Sequence, residues 1–384
     1  MINNRKILFE TFCYYSISRV AIFIIILLSS SAILESVPAR EGLTWHIRFS
    51  NIEDTISRFT MTLLSADASW YMEIARYGYP AESHMTDAPR SWVFFPGFPL
   101  LVRAAQNVFS YWLFSAVFIN AILFLTSLIL LYKISINAFD DKKIATGAIA
   151  LSAFHPFSYF FSTPHSESLF MCSLCGVFYA VQKRSTWIIC FCLMICLVSR
   201  PTGILVLPGI LYWLKDEKFS YKTTIKILAI SLIPLCLYFY HLYLITGSPL
   251  SWLENQAAWG RSVNEHSFIE RIILITTDLN IFRPWSFTLL HIISSVLVLA
   301  ASIYLITIKK TGWALILVLP LIASLSTGSF LSLSRILMPL PPLYLVFSHC
   351  LIQKNTLTPI LLASSVFLGA MTLLYSLHAS MAMT

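Results

Sequence analysis

The sequence predicts an all-α fold, a polytopic bundle of about eleven transmembrane helices that forms one integral membrane domain over residues 1–384. Two observations indicate this class. Of the 384 residues, 57% are hydrophobic and 11% are charged, whereas a soluble domain carries about 25% charged residues. Long apolar stretches also recur along the whole chain, and lipid is the solvent in which an apolar outer surface carries no cost.

The predicted spans follow one another through short turns. A helix needs about 20 apolar residues to cross the bilayer, and the candidate segments cover residues 12–34, 111–133, 144–162, 167–182, 186–199, 201–214, 224–245, 286–308, 312–326, 335–352 and 357–377. The first segment has some features of a signal peptide, but its apolar run is too long for one and further spans follow. We interpret it as an uncleaved transmembrane helix.

Two predicted loops are much longer than the others, one over residues 35–110 and one over residues 247–284. Loops of this length are usually functional. In the first loop, apolar residues of the stretch 52–79 recur at helical spacing, which predicts an interfacial helix along the membrane surface. Both loops are predicted on the same side of the membrane, where we expect the functional site.

Lysine and arginine are divided between the two sides of the membrane. The net charge is +8, but the basic residues are dispersed, which favours a role in topology over nucleic-acid binding. With a cytoplasmic N-terminus, all twelve lysines lie on the cytoplasmic side and eleven of the fourteen arginines on the other. Arginine binds phosphate or carboxylate through a planar fork, although arginines that pair with acids in structured loops would give the same pattern.

Asp67 is the first candidate for chemistry. It lies between small residues and is followed by Trp70 and Tyr71. Such a carboxylate can take a proton from a sugar hydroxyl as a general base, while the aromatic rings stack on the sugar. It can equally cap the helix that follows, and the residues alone leave both interpretations open.

Charged groups at membrane depth supply the next candidates. His165 and Glu167 lie at the start of a predicted span, and ionisable residues in such positions are functional candidates by default. Arg200 lies between two apolar runs and needs an anionic partner. A lipid phosphate, Glu167 or Asp67 would serve.

Two later segments combine small polar residues with one arginine, as a phosphate or sugar site would. They run from Glu254 to Arg261 and from Ser326 to Arg335. The aromatic residues and prolines of the stretch 92–100 favour an aromatic belt with a rigid bend at the lipid interface over direct contact with substrate. The eight cysteines lie in apolar stretches as small hydrophobic residues, and no DxD pair or histidine cluster indicates a metal site.

Six motifs, in this order, resemble the PIG-V mannosyltransferase family, whose eukaryotic members are the second mannosyltransferases of glycosylphosphatidylinositol synthesis. The motifs are Asp67-x-x-Trp70-Tyr71, Phe94-Phe95-Pro96-x-x-Pro99-Leu100, His155-Pro156 with Pro164-His165-Ser166-Glu167-Ser168-Leu169-Phe170, Arg200-Pro201-Thr202-Gly203, Trp259-Gly260-Arg261 and Ser334-Arg335. The resemblance thus extends over most of the chain. Bacterial relatives exist, and the length of this chain favours a bacterial member.

The resemblance implies a GT-C glycosyltransferase that works with inversion in the plasma membrane, on its extracytoplasmic face. The expected partners are a polyprenyl-phosphate sugar donor, with mannose as the sugar, a glycolipid or cell-envelope glycan acceptor, and membrane lipids; no metal, other cofactor or nucleic acid is expected. Asp67 takes the position of the catalytic base. The residues expected to bind substrate are Trp70, Tyr71, His165, Glu167, Arg200, Trp259, Arg261 and Arg335.

A transporter or a flippase for lipid-linked sugars is the alternative from another class. It would explain many helices and intramembrane charges equally well. It would not explain two long arginine-rich loops on one face, and the sequence shows no internal repeat of the kind that many transporters have.

Overall fold

The computed structural model describes residues 4–32, 55–261, 270, 287–327 and 332–377, and within these ranges the regular structure is helical. Its α-helices, numbered α1 to α16 in chain order, are Asn4–Ala32, Thr55–Leu63, Ala68–Tyr77, Gly97–Phe109, Trp112–Phe139, Lys142–Ala153, Glu167–Gln182, Thr186–Ser199, Thr202–Asp216, Tyr221–Thr246, Ser251–Glu254, Phe287–Thr307, Thr311–Leu325, Leu333–Leu337, Pro341–Gln353 and Leu357–Ser376. Three short 3₁₀ helices cover Ser91–Val93, Ser158–Phe161 and Ala257–Trp259.

Five of these helices are long and apolar enough to cross a membrane. They contain the stretches Ile7–Ser30, Trp112–Phe139, Tyr221–Thr246, Leu289–Thr307 and Leu357–Ser376, with hydropathies of 1.9 to 2.4. Three shorter apolar helices, α7, α8 and α13, pack among them. The chain is therefore an integral membrane protein with several spans, while the predicted number of about eleven is not confirmed.

Three of the predicted helices are divided, two of them at prolines. The helix predicted over 144–162 ends at Ala153, shortly before His155-Pro156, because a residue that precedes proline disfavours the α conformation. The helix predicted over 335–352 is split into α14 and α15, and α15 begins at Pro341. The stretch 52–79 contains α2 and α3 instead of one helix, separated by Ala66 with a φ of 54°.

The connection between α6 and α7 lies inside the protein. Helix α6 has 12 residues and is about 18 Å long, shorter than the hydrocarbon core of about 30 Å. Residues 157–170 that follow are all buried. Backbone outside an α-helix is tolerated within a bilayer only where protein surrounds it, and here α1, α5 and α16 contact the segment.

The aromatic belt predicted for residues 92–100 is wrong. Trp92, Phe95 and Phe98 are fully buried, and the Tyr238 hydroxyl donates to the Trp92 carbonyl at 2.6 Å. The segment is a bend in the protein core, where Gly97 at the start of α4 packs directly against the backbone at the end of α8.

The long-loop predictions fall partly outside the described residues. Residues 33–54 of the first loop, and residues 262–269 and 271–284 of the second, belong to the undescribed ranges. The described part of the second loop contacts the first, since the Asn255 side chain accepts from the Arg90 backbone N–H at 2.8 Å and donates to the Ala88 carbonyl at 3.0 Å. The two loops therefore lie at the same end of the helices.

Candidate functional site

Two carboxylates and two guanidinium groups from distant parts of the chain meet in one buried cluster. Glu167 Oε1 accepts from Arg335 Nε and lies 3.0 Å from Arg200 Nη1. Arg335 Nη1 donates to Asp67 Oδ2 at 2.6 Å. The side chains of Glu167 and Arg335 are 0% and 1% exposed, whereas that of Asp67 is 29% exposed. We call these four residues the ion cluster, and Asp67 is its member most open to an incoming group.

Three members of the ion cluster lie at helix ends, and the fourth lies in a helix of five residues. Glu167 is in the first turn of α7, where the helix dipole favours a negative charge. Arg200 lies in extended backbone between α8 and α9, and Arg335 lies in the short helix α14. Asp67 precedes α3. The cluster therefore depends on how these helix ends are packed, which no local sequence pattern encodes.

The structure does not support the helix-cap interpretation of Asp67. Asp67 occupies the N-cap position of α3, but its side chain makes no capping hydrogen bond. Its carboxylate turns to Arg335 instead. The preceding Ala66 has a φ of 54°, a left-handed conformation that costs a residue with a side chain about 1–3 kcal/mol.

Phe160 lies against Arg335, and His165 packs on Phe160. Its guanidinium lies over the Phe160 ring, 4.4 Å from the ring centre, and the His165 ring meets Phe160 edge-on at 5.0 Å. His165 Nδ1 hydrogen-bonds Thr163 Oγ1 at 2.8 Å. Asn120 donates to the backbone carbonyls of both Thr163 and His165. These contacts fix the non-helical segment that leads into Glu167.

Three buried polar atoms of the site make no hydrogen bond among the described residues: Glu167 Oε2, His165 Nε2 and Arg200 Nη1. Arg200 Nη1 still has an ionic partner in Glu167 Oε1, whereas the other two atoms have no partner there. Buried polar groups are nearly always paired, so each of these two is a candidate to bind a substrate hydroxyl.

Tyr71 joins the helix of Asp67 to that of Glu167. Its hydroxyl hydrogen-bonds Ser166 Oγ at 2.7 Å. Burial raises the pKa of Tyr71 to about 12, so the phenol stays neutral at physiological pH.

Three aromatic rings form a wall beside the ion cluster. Trp70 stacks on Phe94 at 5.9 Å, and Trp259 meets both rings edge-on at 5.3 Å. The Trp259 indole N–H donates to the Arg90 carbonyl at 3.2 Å, which ties the second loop to the first. Because Trp70 follows Asp67 by three residues, the aromatic wall lies beside the ion cluster, and motifs that are far apart in the sequence meet at one site.

Arg261 adds a third guanidinium to this region. Its Nη1 donates to Gln256 Oε1 at 3.3 Å. Burial lowers the pKa of Arg261. The negative charge of Asp67 raises this pKa, and the positive charges of Arg335 and Arg200 lower it, so the charge of Arg261 interacts with the ion cluster. All nine residues predicted from the sequence are therefore brought together, and their individual roles stay predictions.

Sequence reasoning missed the residues that support the cluster from behind. His291 in α12 hydrogen-bonds Ser334 Oγ at 2.7 Å and accepts from the Ser334 backbone N–H at 3.2 Å, which holds the start of α14 beside Arg335. Asn120 lies within a long apolar helix. A polar residue inside a predicted span was the signal that could have found both.

The fold and the site together define a class of protein. It is a polytopic membrane protein whose polar site, a buried ion cluster with an adjoining aromatic wall, is formed by its loops and helix ends.

No profile of a known protein family matches the chain. Two curated proteins do. The chain is 24% identical to GPI mannosyltransferase 2 of Drosophila pseudoobscura pseudoobscura over 217 residues, 51% of this chain and 46% of that protein.

The second relative is GPI mannosyltransferase pigv-1 of Caenorhabditis elegans, 32% identical over 131 residues, 30% of this chain and 18% of that protein. The chain thus matches less than half the length of either relative. Both relatives confirm the resemblance to the PIG-V mannosyltransferases that the motifs indicate.

Solved structures of one archaeal enzyme are also similar. The oligosaccharyltransferase of Archaeoglobus fulgidus, crystallised with Zn and sulfate, aligns with 92% of this chain and 53% of its own, with 13% identity and a TM-score of 0.49. The same enzyme in complex with an inhibitory peptide and a dolichol-phosphate aligns with a TM-score of 0.45. At these values the similarity is too weak to establish a fold or a function.

Proposed function

We propose that the protein is an inverting glycosyltransferase that moves a sugar from a polyprenyl-phosphate donor to a glycolipid or glycan acceptor. One observation carries the proposal: the Asp67 carboxylate, a candidate base, shares Arg335 with the buried Glu167. A base for the acceptor and a cation for the donor phosphate thus lie side by side. The similarity to two GPI mannosyltransferases supports the reaction class and favours mannose as the sugar.

The charges of the site suit a phosphodiester. Arg200, Arg335 and Arg261 supply three positive charges, and Asp67 and Glu167 supply two negative charges. The formal excess is one positive charge. A sugar linked to a lipid through one phosphate carries one negative charge, so its binding neutralises the site, whereas a pyrophosphate-linked donor would leave a buried excess of negative charge, which is costly.

Donor binding and activation of the base are coupled in this scheme. In the structure, Arg335 Nη1 holds Asp67 Oδ2 at 2.6 Å. A donor phosphate that takes over this N–H group releases the carboxylate, which then faces the acceptor. Glu167 keeps the rest of the guanidinium in place through Nε.

The transfer step follows from this arrangement. The acceptor hydroxyl oxygen attacks the anomeric carbon from the side opposite the phosphate, and its proton passes to Asp67 as the new C–O bond forms. The bond from the anomeric carbon to the phosphate oxygen breaks, and the polyprenyl phosphate leaves with the bonding electrons. The guanidinium groups stabilise its charge without reorganisation, as preorganised donors do.

The aromatic wall is the proposed sugar platform. Trp70, Phe94 and Trp259 present ring faces and edges next to Asp67. Glu167 Oε2 and His165 Nε2 are the buried polar atoms that hydroxyl groups of the sugar would satisfy. Independence from metal stays a prediction, as do a bacterial plasma membrane, an extracytoplasmic site, a GT-C fold and a total near eleven spans.

Transfer by the purified protein tests the proposal. The protein in detergent is incubated with radiolabelled polyprenyl-phosphate-mannose and a membrane lipid extract, and labelled product is separated by thin-layer chromatography. We expect transfer by the wild type. Asp67→Asn should lower the turnover number by about 10²–10⁴ at saturating substrates, the usual range for loss of a general base, and still bind the donor.

The exposed Asp87 in the same loop provides the matched control. Asp87→Asn should transfer within about twofold of wild type, as expected for an exposed site. Activity of Asp67→Asn within a few-fold of wild type would remove Asp67 as the base. Movement of the labelled lipid across a vesicle membrane without any transfer would support the flippase alternative instead.

A further inference from the structure

Arg19 of α1 is a buried cation outside the ion cluster whose five N–H donors are all used. Nη1 donates to the Ser158 carbonyl at 2.7 Å and to Ser162 Oγ at 2.8 Å. Nη2 donates to the Ala153 carbonyl at 3.0 Å and to Ser158 Oγ. Nε donates to the neighbouring Ser18 Oγ at 3.3 Å.

These described acceptors are neutral. They are backbone carbonyls and hydroxyls, and the guanidinium also lies over the Phe124 ring, 4.7 Å from its centre. The Ala153 carbonyl is at the C-terminal end of α6, where unpaired carbonyls and the helix dipole favour a cation. Arg19 therefore satisfies backbone that lost its helical partners where α6 ends.

The acceptors outside α1 share one location. They belong to residues 153–162, which are the last residue of α6 and the first part of the connection between α6 and α7, including the 3₁₀ helix Ser158–Phe161. The second part is held by Asn120 through the carbonyls of Thr163 and His165. Between the two, Phe161 stacks on Phe124 at 4.2 Å, so Arg19 and α5 contact both parts of the connection.

We infer that Arg19 is a positioning residue, which places Glu167 and His165 through this connection for the reaction set out under the proposed function. Arg19 has no described contact with Asp67, Glu167, Arg200 or Arg335. Its effect on the site runs through the backbone that ends in the first turn of α7. The expected effect on catalysis rests on the proposed function. The expected effect on the connection between α6 and α7 rests only on the contacts of Arg19.

Arginine is required here, and a positive charge alone does not suffice. The acceptors lie around two nitrogen atoms of a planar fork, whereas lysine offers three donors at a single point. Arg19→Lys therefore keeps the charge and loses acceptors of the connection. Arg103→Lys, at an exposed site in α4, is the matched control for the same chemical change.

Kinetics of folded, donor-binding protein test the catalytic consequence. We expect Arg19→Lys to lower kcat by about 10–100-fold, the effect of a small misplacement of reacting groups, and Arg103→Lys to stay within about twofold of wild type. In a protein that already carries Glu167→Gln, Arg19→Lys should lower kcat further by less than about threefold, because both changes act on one group. The inference would be overturned if Arg19→Lys kept the wild-type kcat, or if it lowered kcat by the same factor in wild type and in Glu167→Gln.

Hydrogen–deuterium exchange tests the structural consequence without any assay of activity. Amides of residues 154–166 should exchange faster in Arg19→Lys than in wild type, while those of α10 stay unchanged. Unchanged exchange in 154–166 would overturn the inference. If Arg19→Lys does not fold, Ser162→Ala replaces it, with faster exchange and a smaller loss of kcat expected. A wild type that transfers no sugar refutes the proposed function, and the exchange result still decides the role of Arg19.

Discussion

Arg335 lies between two carboxylates that are 100 residues apart in the chain. A buried ion pair of this kind contributes little net stability, because the cost of removing charges from water offsets their attraction. Removal of one partner is different, because it leaves an uncompensated buried charge. The cluster is therefore more sensitive to single substitutions than its small net contribution suggests.

A double-mutant cycle at Arg335 and Glu167 follows from this. Arg335→Gln should destabilise the protein by about 3–5 kcal/mol, since it leaves Glu167 buried with one fewer cation. Adding Glu167→Gln to Arg335→Gln should restore part of that loss. Thermal unfolding in detergent measures the two single variants and the double variant, and purely additive losses would show that the two side chains do not interact.

The residues of the site were largely predictable from the sequence, and its support was not. Arg200 and Glu167 stand out because a charge at membrane depth needs a partner, and the structure pairs them at 3.0 Å. Arg19 was visible as a charge in the first span, but its acceptors are mainly in a connection that was predicted to be helical. Carbonyl acceptors leave no residue signature in a sequence.

At the scale of elements, Gly97 controls how closely α4 approaches α8. A Cβ atom at this position would lie 2.7 Å from the Val198 carbonyl oxygen, a distance that real Cβ atoms do not adopt. Val198 is two residues before Arg200. The absence of a side chain at Gly97 thus sets the position of one member of the ion cluster.

Gly97→Ala is therefore expected to push the end of α8 away and to displace Arg200. It should lower the thermal midpoint and weaken binding of the lipid-phosphate donor, by analogy with overpacking that costs about 1–3 kcal/mol. Gly369→Ala in α16 is the control, because its nearest neighbour, Ile25 Cδ1, is 3.8 Å away. That change should be neutral or stabilising by up to about 1 kcal/mol. Equal behaviour of the two variants would contradict the packing argument.

The helices themselves were predicted well where they are long and uninterrupted. The span over 224–245 corresponds to α10, which continues through Pro234, and the span over 186–199 corresponds to α8. The boundary after Ala153 was missed because hydrophobicity continues through residues 157–161. Apolar composition alone does not distinguish a helix from a buried non-helical segment.

At the scale of the whole molecule, the charged residues divide between two ends. At one end the turn after α7 contacts the turn after α9, since Arg184 donates to the Glu217 carbonyl at 3.1 Å. A cavity of about 630 Å³ at this end is lined by Lys142, Lys143 and Asn355, among others. The ion cluster and the aromatic wall lie at the other end of α7. This division agrees with the predicted separation of lysine and arginine.

Labelling of single cysteines tests which end is cytoplasmic. In a background without the eight native cysteines, Lys142→Cys and Lys183→Cys should react with an impermeant maleimide only from the cytoplasm, because lysine-rich turns stay inside. Trp259→Cys should react only from the opposite side. Labelling of position 259 from the cytoplasm alone would invert the topology and place the site on the inner face.

The contacts of Arg19 also have a consequence for biosynthesis. Arg19 precedes its acceptor Ala153 by 134 residues, and at about 5–20 residues per second the ribosome needs about 7 to 27 s to reach it. During that interval the first helix lies in lipid with an arginine that costs about 2.5–3.5 kcal/mol, offset by its apolar residues. The first helix thus inserts before its partners exist. It reaches its final position only later, when Arg19 binds the backbone around Ala153.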